Sequence, residues 1–421
     1  MAQVEPLRAL HYNLEKTGGL QNVVAPPYDV IDEEQRAELE ARSRYNVVRI
    51  DLPRGDDPYE NAAETLEEWR AGRAVVQDEE PALWVLEQDY TGPDGQSRTR
   101  RGFLARVRVE DYGPGRIRPH ERTHPGPKED RLKLTRATRA NLSPIFSLFS
   151  DPENAAWRAL EPATTNEPWG TATDEDGTVN RLWRVTDQAA IAAVQKTLEP
   201  AELLIADGHH RYETARTYAE EIGGEGEHRY VLMDLVALQD PGLTVFPTHR
   251  LVNGLTPEQQ EALATAIRTN FDTEELASAA ELKDLQPVPG KVKIGYIDSH
   301  FKRPFVLTLR DQSVADEALP DHAPPYRRLD TAVLEALLLK GALGMTDEDI
   351  DHLDGLGYAR DADQALQLID ADEYDAAFLM APIPVEQIQE VAAAGESMPP
   401  KSTYFFPKVP TGLVFNLLND G

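Results

Sequence analysis

Two hydrophobic periods run along the chain, and the switches between them mark its elements. A period of two appears at residues 82–109, where ALWVLEQDY, a GPDG turn and RRGFLARVRV predict a β-hairpin. Short apolar runs predict strands at PIFSLFS (144–150), RYVLMDLVAL (229–238), KVKIGYI, PFVLTL and AAFLMAP, and Val48 and Ile50 predict another within residues 44–55. Helical spacing appears after Asp32, then at Tyr59, Ala62, Ala63, Leu66 and Trp69, and again at 187–198, where Asp187 is placed to cap the N-terminus. Residues 257–309 read as two helices and two strands, a core helix starts at Leu329, and 362–394 reads as helix, strand, helix. The mixture predicts an α/β (α+β mixed) fold. Residues 151–180 turn polar and rich in Gly and Pro, which suggests a boundary between an N-terminal α/β domain (1–155) and a C-terminal α/β domain (156–421).

One stretch departs from pure packing logic. At residues 201–221 an apolar run (Leu203, Leu204, Ile205, Ala206) meets Asp207, Gly208, His209, His210 and Arg211, and a helical pattern follows through Tyr212, Ala215, Tyr218 and Ala219. A strand, polar turn and helix start put backbone N–H groups and the positive end of a helix dipole beside charged side chains. Phosphate chemistry is the first expectation.

Composition narrows the anion. The 421 residues are 41% hydrophobic, enough for a sizeable core in two or more domains. A net charge of −30 argues against nucleic acid or an anionic membrane as partner, since both are bound through Lys and Arg patches. The cations are 11 Lys against 32 Arg, and an acid excess with so few lysines reads as adaptation to a high-salt cytoplasm, with stability rising in molar KCl, or else as an acidic interaction surface. Cysteine is absent, which removes disulfides and thiolate chemistry. With no leader-like or membrane-spanning run, the expected location is cytoplasmic.

Several loops could supply partners for the turn. VVAPPYDVID (23–32) presents Tyr28 and Asp29 beyond two prolines, where Asp29 serves either as a helix cap or in the chemistry. The first half of residues 117–151 crowds His120, Glu121, Arg122, Thr123, His124, Lys128, Glu129, Asp130 and Arg131 around Pro125 and Pro127, and reads as a turn-rich functional loop or a solvated one. FPTHRL places His249 and Arg250 at a strand mouth, in a structural or a ligand-binding role. The C-terminal loop carries Lys401, Ser402, Thr403 and Lys408 between prolines. Walker, Rossmann, GxSxG and HExxH motifs are absent.

Taken together, APPYDVI, HERTHPGPKEDRL with ATRANLSPIF, ADGHHRYETA, FPTHRL and AGESMPPKSTYFFPK resemble the bacterial and archaeal family called domain of unknown function 1015, from about residue 6 to the C-terminus. Over about twenty residues the DGHHR turn is also similar to that of ParB/sulfiredoxin-like proteins, among them archaeal free L-serine kinases. This resemblance implies a ParB/sulfiredoxin-like nucleotide-binding core with additional α/β elements. It also implies phosphoryl transfer from ATP or ADP to the hydroxyl of a small molecule, free L-serine, giving O-phosphoserine.

Under that reading Asp207, His209, His210 and Arg211 face the phosphates, with Gly208 in the turn. Arg211 clamps phosphate oxygens, the histidines donate, and Asp207 is the candidate ligand for Mg²⁺. Glu121 or Asp29 is the expected general base. Lys128, Arg131, Arg250 and Lys401 would neutralise phosphate or bind a carboxylate, and Tyr28, His120, Thr123, His249 and Ser402 would contact the substrate. Two other classes remain open: a metal-dependent hydrolase of a phosphorylated metabolite using His120, Glu121, His124, Asp207, His209 and His210, and a non-catalytic nucleotide-binding regulator.

Overall fold

A computed structural model describes residues 2–121 and 125–419, with the side chains of 125–127 and 351 left out of the description. The chain forms two compact units, Met1–Leu243 with Phe405–Gly421, and Thr244–Tyr404. The fold is mixed α/β throughout.

The first unit is built on a nine-stranded sheet among the described residues. Its strands run in the spatial order Ile117–Arg118, Leu203–Asp207, Ile145–Phe149, Tyr230–Ala237, Ser97–Arg108, Leu83–Thr91, Val179–Val185 and Gly170–Thr173, with Val4–Glu5 paired beside Ser97–Arg108. The predicted hairpin is present, Trp84 facing Leu104 and Thr91 facing Ser97. Met233, Leu235, Phe103, Ala105, Ile145 and Ile205 pack into one core with Ile191, Val194 and Leu198 of the Gln188–Leu198 helix. Asp187 caps that helix as expected, its carboxylate accepting from the N–H groups of Ala189 and Ala190.

The second unit holds an antiparallel six-stranded sheet, in the order Phe271–Glu275, Phe305–Leu309, Lys293–Asp298, Ala376–Met380, His249–Val252 and Leu356–Ala359. Its core gathers Ile294, Leu307, Phe378 and Met380 with Leu263, Ile267, Val333, Leu334 and Leu338.

Four expectations are corrected. The boundary placed after residue 155 falls inside the first unit and within one sheet, because Ile145–Phe149 pairs with both Leu203–Asp207 and Tyr230–Ala237. The polar run 151–180 contains the Ala155–Leu160 helix and the Gly170–Thr173 strand. Val48–Asp51 is a helical turn, because buried Asn46 accepts from the N–H of Val48 at 3.0 Å and donates to the carbonyls of Asn22 and Val24, each at 3.1 Å. These tertiary bonds override the strand preference of the β-branched residues. The ionisable loop is in large part a helix, Pro125–Thr138, whose prolines stand in the first turn, where no N–H is needed. Residues 257–309 carry one α-helix, Pro257–Asn270, and the second expected helix is replaced by the Phe271–Glu275 strand and a short 3₁₀ segment, Ala279–Asp284.

Candidate functional site

The strand Leu203–Asp207 ends in an irregularity that decides where Asp207 points. Ile205 faces Ser147, but Asp207 faces Phe146, so Ala206 is an extra residue on this strand. A bulge of this kind turns the side chain that follows it. Gly208 then takes φ 95°, and the helix His209–Ile222 begins. A Cβ at Gly208 would stand 3.0 Å from the Arg211 guanidinium, so glycine serves both the left-handed backbone and the seat of Arg211. Tyr212 anchors the first helical turn: its hydroxyl donates to the carbonyl of Glu110 at 2.8 Å and accepts from its N–H at 3.0 Å.

Asp207 is 23% exposed and sits between two cations. Lys408 Nζ donates to Oδ2 at 2.8 Å, and Arg211 Nη2 lies 4.0 Å from Oδ1. Burial opposes ionisation of this carboxyl, but Lys408 and Arg211 outweigh it and hold the group well below the usual carboxylate range. Sequence pattern assigns Lys408 of the C-terminal loop no role. Its contact spans 201 positions of sequence, and no local pattern carries that signal.

The two histidines are buried and mutually braced. His120 Nδ1 donates to the carbonyl of Ile205 at 2.6 Å, and the backbone N–H of His120 donates to His209 Nε2 at 3.3 Å. The rings meet edge to face, 4.7 Å apart, and Phe405 packs 5.7 Å from His120. Burial, reinforced by His120, pushes His209 well below the ordinary imidazole value, so His209 is neutral at pH 7. Its Nε2 is an acceptor, which makes the residue a brace for the turn. Glu121 lies 3.8 Å from His120 Nε2 and is 35% exposed, and His210 is half-buried.

Arg211 also reaches a second group of predicted residues. It donates through Nη1 to the carbonyl of Pro144 and lines a cleft with Asp51 and Arg131. Arg131 donates to the Asp51 carbonyl at 2.8 Å and to its Oδ1 at 3.1 Å, and lies 4.3 Å from the centre of the Tyr28 ring. Lys128 faces Glu213 at 3.5 Å. Asp29 is exposed on the Tyr28–Val30 turn. Thr123, with His124, lies outside the described residues.

His249, Arg250, Lys401 and Ser402 belong to the second unit. Arg250 is 5% exposed, and donates to the carbonyls of Thr248 at 2.6 Å and Pro400 at 3.0 Å. His249 Nδ1 accepts from the N–H of Met380 at 3.0 Å, and burial, with Arg250 beside it, pushes its pKa down to about 4. Ser402 donates to the carbonyl of Pro399 at 2.7 Å, while Lys401 is exposed with φ 55°.

A resident magnesium ion does not fit this donor set. Among the described residues no group of three or more Asp, Glu or His is arranged around a common point, and the Asp207 carboxylate already neutralises Lys408. The surroundings of Asp207 therefore do not support the metal role expected for it. No described helix is long and apolar enough to cross a membrane.

A family model described as "Protein of unknown function (DUF1015)" matches residues 4–332, so the Lys401 loop lies beyond the matched span. Among solved structures, the chain is similar to a conserved hypothetical protein from Pyrococcus furiosus, at 16% identity over 70% of this chain and 89% of that one, with a TM-score of 0.35. It is similar to a free serine kinase in complex with AMP, at 14% identity over 70% and 88%, with a TM-score of 0.35. A third is SbnI with a C-terminal truncation from Staphylococcus aureus, at 14% identity over 73% and 87%, with a TM-score of 0.36. No curated protein matches the chain.

Proposed function

The chain belongs to the DUF1015 family, and on that premise we propose that it is a nucleotide-dependent phosphotransferase that phosphorylates the hydroxyl of a small metabolite, with free L-serine as acceptor. One observation carries the reading: at the start of a 14-residue helix, a bulged strand and a left-handed glycine present Asp207, Arg211 and Lys408 as a partly exposed cationic cluster with a net positive charge. Phosphoryl transfer asks mainly for positioning and charge neutralisation, and this arrangement supplies both. The similarity of the turn to that of ParB/sulfiredoxin-like serine kinases agrees with it.

In this reading the nucleotide phosphates sit at the helix N-terminus against Arg211 and Lys408. Asp207 is the holder of those cations, too acidic and too well paired to accept a proton from serine. As the serine oxygen bonds to the terminal phosphorus and the bridging P–O bond breaks, the hydroxyl proton passes to a carboxylate, Glu121 or Asp29. His209 and His120 keep the turn in shape, and His210 donates to phosphate.

The deciding experiment is a coupled assay with the purified protein, Mg²⁺, ATP or ADP and L-serine, in high salt, with phosphoserine read by mass spectrometry. Phosphoserine from either donor is the expected result. None from both removes the serine-kinase reading. Comparing the pH–rate profiles of Glu121→Gln and Asp29→Asn identifies the base, since the variant lacking it loses the acidic limb.

A further inference from the structure

Arg211 faces more than the turn. Together with Asp51, Arg131, Asn141, Ser143 and Thr214 it lines a cleft of about 40 Å³ in the first unit. At roughly 10–15 Å³ for each ordered water, that is room for about three waters, or for the head group of a ligand that displaces them.

The lining leaves one acceptor and one donor group unspent. Asp51 is 4% exposed, its Oδ1 accepts from Arg131, and its Oδ2 has no hydrogen-bond partner among the described residues. A buried carboxylate oxygen without a donor is costly, and such atoms are rare without a reason. Arg131 does not donate to that oxygen. Its Nη1 holds the carbonyl and Oδ1 of Asp51, and its Nε and Nη2 hold Asp130 Oδ2 at 2.8 and 2.5 Å. It is the anchor that fixes Asp51. Arg211, by contrast, makes one hydrogen bond among the described residues, to the Pro144 carbonyl, and its ion pair with Asp207 is stretched to 4.0 Å.

A simple anion in this cleft would pair with Arg211 but press against the unshared oxygen of Asp51, and a simple cation would meet the reverse conflict. A ligand carrying both signs satisfies both groups. We propose that the cleft receives the head of a small zwitterionic α-amino acid, with its ammonium donating to Asp51 Oδ2 and its carboxylate accepting from Arg211 and from the hydroxyl of Ser143. The cleft volume admits the head group. Resting on the phosphotransferase reading, this places the acceptor against the residue that also serves the phosphate turn, so that Arg211 touches both substrates.

The test separates amino-acid binding from phosphate chemistry by using L-alanine, which has the same head as L-serine and no hydroxyl to phosphorylate. Calorimetric titration of the full-length protein with L-alanine, with and without AMP, should show one site. Asp51→Asn should weaken L-alanine roughly ten- to hundredfold, as expected for a hydrogen bond to a charged group, and leave AMP affinity unchanged. Ser143→Val narrows the cleft without removing a charge, and should weaken L-alanine while raising or preserving the melting temperature, so it decides the matter if Asp51→Asn fails to fold. Wild-type L-alanine affinity in a folded Ser143→Val protein, binding of inorganic phosphate in its place, or no L-alanine binding with or without AMP would each overturn the assignment. AMP binding with no amino-acid binding would leave the nucleotide reading standing, and amino-acid binding without AMP binding would do the reverse.

Discussion

Each unit has an arginine close to a core strand, Arg250 within His249–Val252 and Arg211 in the first turn of the helix that follows Leu203–Asp207, and their surroundings are opposite. Arg250 in the second unit is sealed, with one nitrogen on the Thr248 carbonyl, another on the Pro400 carbonyl, and its guanidinium 5.4 Å from the Tyr358 ring centre. Arg211 in the first unit has one backbone carbonyl, a stretched ion pair and a cleft beside it. Sequence alone makes both phosphate-binding candidates. Enclosure separates them: Arg250 is 5% exposed and closed in by two main-chain carbonyls and the Tyr358 ring, while Arg211 lines a cleft.

The largest effect should come from Arg211. Arg211→Ala removes a charge-bearing donor from the proposed transition state and should lower phosphoserine formation by about 10²–10³-fold with the melting temperature nearly unchanged. Lys408→Ala should act in the same direction, because Asp207 loses its closest cation. A collapse of folding in either variant would instead place Arg211 in the same structural class as Arg250.

Arg250→Met should show the opposite signature. It strands the Thr248 and Pro400 carbonyls and should cost about 2–4 kcal/mol in urea unfolding, while kcat per folded molecule stays at the wild-type value. A selective rise in KM for nucleotide or serine, with stability unaltered, would erase the contrast between the two arginines.

A third contrast concerns buried carboxylates. Asp234 in the first unit has neither oxygen hydrogen-bonded among the described residues, and burial, partly offset by Arg100, pushes its pKa up to about 7. Asp330 in the second unit is also pushed up to about 7 by burial, but accepts from the N–H of Lys293 at 3.2 Å. The folded protein keeps the Asp234 proton well above the pH at which the unfolded chain releases it. Stability from this group is therefore complete below about pH 4 and is lost as pH rises through about 7. Asp234→Asn should flatten the stability profile between pH 5 and 8 by about 2 kcal/mol. Asp330→Asn keeps an amide oxygen for the Lys293 N–H but loses the extra strength of a bond to a charged acceptor, so it should gain less at pH 8.

What could be read from sequence follows from how local each cause is. The strand, turn and helix around Gly208 were legible because apolar run, glycine, charged residues and helical spacing are contiguous. The 82–109 hairpin and the Asp187 cap were legible for the same reason. Val48–Asp51 was misread as strand because its conformation is imposed by Asn46 bonding to residues more than twenty positions away. Asp51 was then hidden: at the end of an apparent strand it carried no chemical signal, although it supplies the unpaired oxygen of the cleft. The sealing of Arg250 by Pro400 spans 150 positions. Residue type alone makes His249, Arg250, Lys401 and Ser402 candidates, and residue type does not reveal how closely a side chain is enclosed.

The smallest predicted effect concerns two positions with left-handed backbone. Gly208 takes φ 95° at no steric cost, and the space where a Cβ would stand is used by Arg211. Lys401 takes φ 55° with a full side chain, which costs a non-glycine residue about 1 kcal/mol. If Lys401 is only a loop residue, Lys401→Gly should recover a few tenths of that, the rest being offset by the greater freedom of glycine in the unfolded chain, and leave phosphoserine formation unchanged. If its exposed ammonium instead binds a substrate, Lys401→Gly should raise KM while Lys401→Arg restores it. That outcome would return one residue of the second unit to the chemistry, and would show that strain at Lys401 is kept for its charge.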